Sequence, residues 1–119
     1  MFDGTEPIYL QIAEYLRGQV LSGALAEGDQ VMSTTQFATT YRINPATAAK
    51  AFALLVEEKV IHKQRGVGMF VSDGASERLR EQRRGAFFTD RLDAVLTEAR
   101  MLGISEAELM AHIRKEGQS

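Results

Sequence analysis

Residues able to make or break bonds are scarce in this chain. It has no cysteine, and its two histidines, His62 and His112, stand fifty positions apart. No His-Glu-x-x-His run occurs, and no glycine-rich loop of the phosphate-cradling kind. The lone Gly-x-Gly, Gly66 to Gly68, falls between two short alternating runs and suits a hairpin better. An enzyme is therefore poorly supported, and no metal or cofactor is expected. The cations suggest different chemistry. From Arg42 to Arg65 the chain carries Arg42, Lys50, Lys59, Lys63 and Arg65 against Glu57 and Glu58, a balance of +3. Before Arg42, Arg17 alone faces Asp3, Glu6, Glu14, Glu27 and Asp29, a balance of −4. Lysine and arginine donate to phosphate oxygens without covalent chemistry, so this polarity fits a polyanion. On charge alone, a solvated cationic face fits equally well.

Such cations act as a site only if the backbone groups them. Ile8, Ile12, Leu16 and Val20 recur every four residues, with Ala13 and Leu21 beside them, and predict a first helix over Ile8 to Ser22. Pro7 suits its entry and Gly23 its end. A turn at Glu27-Gly28-Asp29 leads to a short extended piece, Gln30 to Met32. "STTQ" from Ser33 is a capping box that starts a second helix, ending near Thr40, with Phe37, Ala38 and Tyr41 as apolar contacts. After "YRI", Asn44 is a strong N-cap and Pro45 a favoured first residue of a third helix reaching about Glu58. Ala48, Ala51, Phe52, Leu55 and Val56 should form its buried face. From Val60 the period becomes two: "VIHKQ" and "VGMFVS" flank Arg65-Gly66 as a hairpin, and Gly68 implies a bulge or a close backbone approach. Two helices joined by a tight turn and followed by a hairpin form a helix-turn-helix with a wing.

The last 45 residues differ. "SERLREQRRG" is highly charged, and Arg78, Arg80, Arg83 and Arg84 suit a solvated helix face paired with Glu77 and Glu81. Phe88, Leu92, Val95, Leu96, Ala99 and Leu102 then share one helical stripe, ended by Gly103. Ser105 with Glu108 starts a final helix whose apolar positions are Ala107, Leu109, Met110 and Ile113. Two short amphipathic helices cannot cover their own stripes, so these must pack on the first domain or on a second copy of the chain. The expected class is mainly α with a small β-hairpin (α+β): a winged helix-turn-helix over residues 1–74 and a helical region over 75–119. Hydrophobic residues at 45% and charged residues at 25% suit a soluble globular protein. No apolar run is long enough for a membrane span, and "MFDGTEPIYLQ" lacks the features of a secretory signal.

"PIYLQIAEYLRGQVLSGALAEGDQVMS", "INPATAAKAFALLVEEKVI" and "RGVGMFV" follow one another at a spacing that resembles the winged-helix domain of the GntR family of bacterial transcription regulators. The resemblance covers about Pro7 to Val71. The Asn-Pro opening and the two-helix tail resemble its YtrA-like subfamily. That implies a cytoplasmic, nucleoid-associated homodimeric repressor, often of a transporter operon, with dimerisation through Phe88, Leu92, Val95, Leu96, Ala99, Leu102, Leu109 and Ile113. The chain departs from the family in having Thr35 for an arginine, Met32 for a proline, and Pro45 and Ala49 where arginines are common. Ala46 stands where a polar residue is frequent, while Lys50 keeps the basic character of its position.

Double-stranded DNA is thus the expected partner. Pro45, Ala46, Ala49 and Lys50 should face the major groove, with Thr47 at its wall. The alanines can pack on thymine methyl groups, and Lys50 can reach a guanine edge or a phosphate. Ser33, Thr34 and Thr35 and the start of the third helix offer backbone N–H groups to phosphates. Asn44 acts mainly as a cap. Arg65 and Gly66 form the wing tip, suited to a narrow minor groove, and Lys63 and Arg42 clamp the backbone. Tyr9 suits a phosphate contact or a core contact equally. His62 suits a packed or exposed strand position. A protein-binding winged helix is the rival function, favoured slightly by the arginine-poor third helix. A repressor needs a release signal, so a small-molecule effector is expected near Phe87 and Phe88.

Overall fold

The structure is a computed structural model that describes residues 2–117. The ends of the two expected segments, Met1 and 118–119, lie outside the described residues. Two compact units are present, Met1–Glu81 and Gln82–Ser119.

In the first unit, α1 spans Ile8–Ser22, with Pro7 at its N-cap and Gly23 in the left-handed conformation at its end. Ile12, Ala13, Leu16 and Val20 are buried, as their spacing requires. Ile8, expected on the same stripe, is 43% exposed at the helix start. Strand β1 is Gln30–Val31. Helix α2, Thr34–Tyr41, opens on a reciprocal cap: the Ser33 hydroxyl accepts from the Gln36 N–H, and the Gln36 side-chain oxygen accepts from the Ser33 N–H, both at 3.0 Å. Helix α3, Pro45–Glu57, opens on Asn44, whose side-chain oxygen accepts from the Ala46 N–H at 2.8 Å. Each cap side chain satisfies one of the orphan N–H groups of its helix start, so both junctions are locally specified.

Both of these helices close on left-handed residues that are not glycine. Arg42 has φ 54 and Lys59 φ 62. At α2 the Ile43 N–H reaches the Ala38 carbonyl at 2.9 Å; at α3 the Val60 N–H reaches Leu55 at 2.9 Å and the Lys59 N–H reaches Val56 at 3.0 Å. These are the paired bonds of a Schellman ending. Val56, expected in the buried face, is 41% exposed. Ala48, Ala51, Phe52 and Leu55 complete an i, i+3, i+4, i+7 stripe, and Val56 lies roughly 90° round the helix from its centre.

Strands β2, Ile61–Gln64, and β3, Gly68–Val71, form the hairpin. The sheet has three strands, in the order β1-β3-β2, all antiparallel. The expected hairpin thus gains a third strand: Gln30 pairs with Phe70 and Val31 with Met69. A lone two-stranded hairpin is marginal in water, and this addition supports it.

The core joins Ile12 and Leu16 of α1, Phe37 of α2, Phe52 and Leu55 of α3, and Val60, Ile61 and Val71 around the sheet. Burying each large side chain contributes about 1.5–3 kcal/mol. Phe37 packs edge-on against Phe52, 5.6 Å between ring centres, and lies tilted by 36° against Tyr41 at 4.5 Å. The Tyr41 hydroxyl lies 3.3 Å from that of Tyr15. That hydrogen bond, with partial burial, raises the Tyr15 phenol above its ordinary value, so it stays neutral. Helix α4, Ala75–Ala86, adds Ala75 and Leu79 to this core before the chain enters the second unit.

The second unit holds the end of α4, a π turn over Phe87–Leu92, α5 over Asp93–Met101 and α6 over Glu106–Gly117. The helix entering the stripe is continuous with the charged segment: Ala86 and Asp93, on either side of the π turn, keep helical angles. Gly103, at φ 72, ends α5, and the Ser105 hydroxyl accepts from the Glu108 N–H at 3.1 Å to start α6. Leu92, Leu96 and Leu109 are half-buried, and Ala99 is buried. Phe88, Val95, Leu102 and Ile113 are 53%, 52%, 67% and 61% exposed.

Candidate nucleic-acid interface

The α2–α3 corner presents a small, weakly charged surface. Asn44, Pro45, Ala46, Ala49 and Lys50 are exposed, and Thr47 is half-buried. Ser33 and Thr35 are exposed and Thr34 half-buried at the start of α2. The caps restrict two of these side chains. The Ser33 hydroxyl and the Asn44 side-chain oxygen are already engaged by backbone N–H groups.

Ile8, Tyr9, Ala46, Thr47 and Lys50 line a shallow crevice between the starts of α1 and α3. The Lys50 ammonium sits over the Tyr9 ring, 4.0 Å from its centre. Tyr9 also packs against the core. Of the two roles open to Tyr9 in the sequence, the structure shows the core contact, and the same ring also carries the cation of α3.

The wing turns at Arg65-Gly66. The Val67 N–H bonds the Gln64 carbonyl at 2.9 Å, and Gly66 takes φ 78, the signature of a type II turn. Lys63, Arg65 and Gly66 are exposed. Gly68, expected to mark a bulge or a close backbone approach, instead lies against a side chain. A Cβ there would lie 2.6 Å from the Gln30 side-chain nitrogen, which itself donates to the Val67 carbonyl at 3.3 Å. His62 is a packed strand residue, stacked on Phe70. Its Nδ1 lies within hydrogen-bond distance of the Ser72 hydroxyl, at 3.0 Å, and its Nε2 of the Gln64 side-chain amide, at 3.3 Å.

Sequence reasoning missed what secures the far end of α3. Arg17 on α1 grips the Glu58 carboxylate with two hydrogen bonds, 2.9 Å from Nε and 2.7 Å from the terminal nitrogen. Arg78 on α4 is exposed, as expected, but donates to the Lys59 carbonyl and, at 3.1 Å, to the Asp73 carbonyl. Both cations meet the carbonyl-rich end of α3, where a helix dipole favours positive charge. No local motif announces either contact, because each partner is far away in sequence. The pairing of Glu58 also leaves the Arg42–Arg65 stretch more effectively cationic than its formal balance. Arg42 itself is exposed and serves as the left-handed end of α2.

In the tail, the Phe87 and Phe88 rings stand edge to face at 5.5 Å, each about half exposed. Among the described residues no group of histidines and carboxylates could hold a metal ion, and no helix is long and apolar enough to cross a membrane.

Residues 8–71 match the family described as bacterial regulatory proteins, gntR family. The HTH-type transcriptional repressor YtrA of Bacillus subtilis (strain 168) is 29% identical over 109 residues, 92% of this chain and 83% of YtrA. A solved GntR family transcriptional regulator from Listeria monocytogenes is 30% identical, with a TM-score of 0.73 over 96% of this chain and 98% of that one. A transcriptional regulator from Oenococcus oeni, 26% identical, reaches a TM-score of 0.83 over 97% and 94%. The family match runs from the first residue of α1 to the last of β3, more than half the chain. The chain belongs to the GntR family of bacterial regulatory proteins and is a DNA-binding transcription regulator.

Proposed function

We propose that the protein is a sequence-specific repressor that binds a palindromic operator as a homodimer through α3 and the wing. The observation that carries this reading is the pairing of an open α2–α3 corner with a tail whose apolar side chains, Phe88, Val95, Leu102 and Ile113, face solvent in the single chain. A second copy would cover those side chains, and a two-fold axis would then present two recognition helices to half-sites about 10 bp apart or a multiple of that. Within each half-site Ala46 and Ala49 pack on methyl groups, Lys50 and Thr47 take a base edge or phosphate, and Arg65 enters the minor groove. Ser33, Thr34, Thr35, Arg42 and Lys63 hold the phosphates on either side. Resemblance to the YtrA-like subfamily suggests a transporter operon as target, and a repressor's need for a release signal suggests a small-molecule effector near Phe87 and Phe88.

Selection of duplexes from a random library by the wild-type protein tests the operator. An enriched palindrome is expected, with log K falling linearly against log salt. A salt slope near zero on duplex DNA would sink the proposal. So would Lys50→Ala and Arg65→Ala variants that both retain full affinity, which would favour a protein-binding role for this face.

A further inference from the structure

Helix α3 carries a single cation, Lys50. A lysine stem is long and samples many rotamers, so an unrestrained Lys50 would lose affinity when DNA fixes it. Lys50 is not unrestrained. Its ammonium lies 4.0 Å from the centre of the Tyr9 ring, well inside the range at which a ring's π face attracts a cation. Tyr9 is packed against the same core that holds α1 to α3, which includes Ile12 and Leu16 from one helix and Ala48 and Phe52 from the other. The ring is therefore a platform built into the fold, and Thr47 borders the same crevice.

We propose that Tyr9 is the positioning residue for Lys50: its ring holds the ammonium at one place beside the start of α3, so a helix with one cation presents it ready for DNA. This rests on the proposed reading of DNA by α3. Tyr9 supplies a π face, and the hydroxyl is not needed for it.

The test measures the affinity of the full-length protein for a duplex selected by the wild type, at fixed salt. The variants are Tyr9→Phe, Tyr9→Leu, Lys50→Ala and the Tyr9→Leu/Lys50→Ala double variant, each first shown to melt cooperatively. Exposed cation–π contacts convert to about two- to fivefold in affinity, the weakening expected for Tyr9→Leu. Tyr9→Phe should bind like the wild type, since phenylalanine offers the same face. In the Lys50→Ala background, Tyr9→Leu should have no further effect. Equal losses in both backgrounds would overturn the inference by assigning Tyr9 a contact or packing role of its own. A Tyr9→Phe loss as large as that of Tyr9→Leu would overturn it in favour of the hydroxyl, and tighter binding by Tyr9→Leu would make the ring a competitor of DNA. If Lys50→Ala binds like the wild type, the reading of DNA by α3 fails first; a Lys50 effect uncoupled from Tyr9 removes only the present inference.

Discussion

The winged unit and the tail place similar helical stripes in opposite environments. In the winged unit, Ile12, Phe37, Phe52, Leu55 and Val71 retain 2% exposure or less. In the tail, side chains of the same kind on α5, at its cap and on α6, among them Val95, Leu102 and Ile113, stay more than half exposed. Periodicity reports that a face exists; what covers it depends on which elements the chain can fold back. The first stripe meets two helices and a sheet of its own chain, and the second offers its surface outward. One region buries its stripe within its own chain, and the other leaves an apolar surface that the proposed second copy would cover.

The contrast can be broken first in the winged core. Leu55→Ala should cost about 2–5 kcal/mol of unfolding free energy by urea titration, because it empties a fully buried site. A loss under about 1 kcal/mol would mean that this core does not hold the unit. A smaller effect is expected where two elements are tied at the part-buried edge. Arg17→Ala should cost about 1–2 kcal/mol, and Glu58→Gln should add little once Arg17 is gone. Additive losses would show that the two side chains act separately. Lys59→Gly should stabilise the protein, by about 0.5–1 kcal/mol, since it relieves a left-handed lysine; destabilisation would show that the lysine side chain has a role of its own. The smallest change in unfolding belongs to the tail. Leu102→Glu should alter unfolding of the winged unit by under about 0.5 kcal/mol, yet should abolish self-association in sedimentation measurements. If unfolding collapses and assembly survives, the two regions have been assigned the wrong way round.

Much of the winged unit was legible because its signals are local. Ser33 with Gln36, and Asn44 with Pro45, specify helix starts over three or four residues, and both appear with the hydrogen bonds their pattern implies. Gly68 likewise marked a close approach without revealing that the Gln30 side chain makes it. The illegible parts depend on distant partners. Strand β1 was legible as a short extended piece, but not its pairing with β3. The contacts of Arg17 and Arg78 were hidden because Glu58 and the Lys59 carbonyl come near them only in the fold. The helix ends at Arg42 and Lys59 were hidden by chemistry: a search for glycine does not find a left-handed arginine or lysine. In the candidate site, sequence placed Lys50 on the open side of α3, while its platform at Tyr9 belongs to another helix.

The π turn at Phe87–Leu92 bears on how such a chain can change length. Its wider hydrogen-bond register accommodates one more residue than an α-helical turn would. Deleting a residue there lets the backbone relax to ordinary α bonding and remain one helix. Helix α2 has no such slack: eight residues run between the Ser33 cap and left-handed Arg42, and a deletion would pull Tyr41 away from Phe37 and Tyr15. Insertions and deletions are therefore best absorbed in the middle of a tail helix, a place where an alignment gap would usually be judged an error.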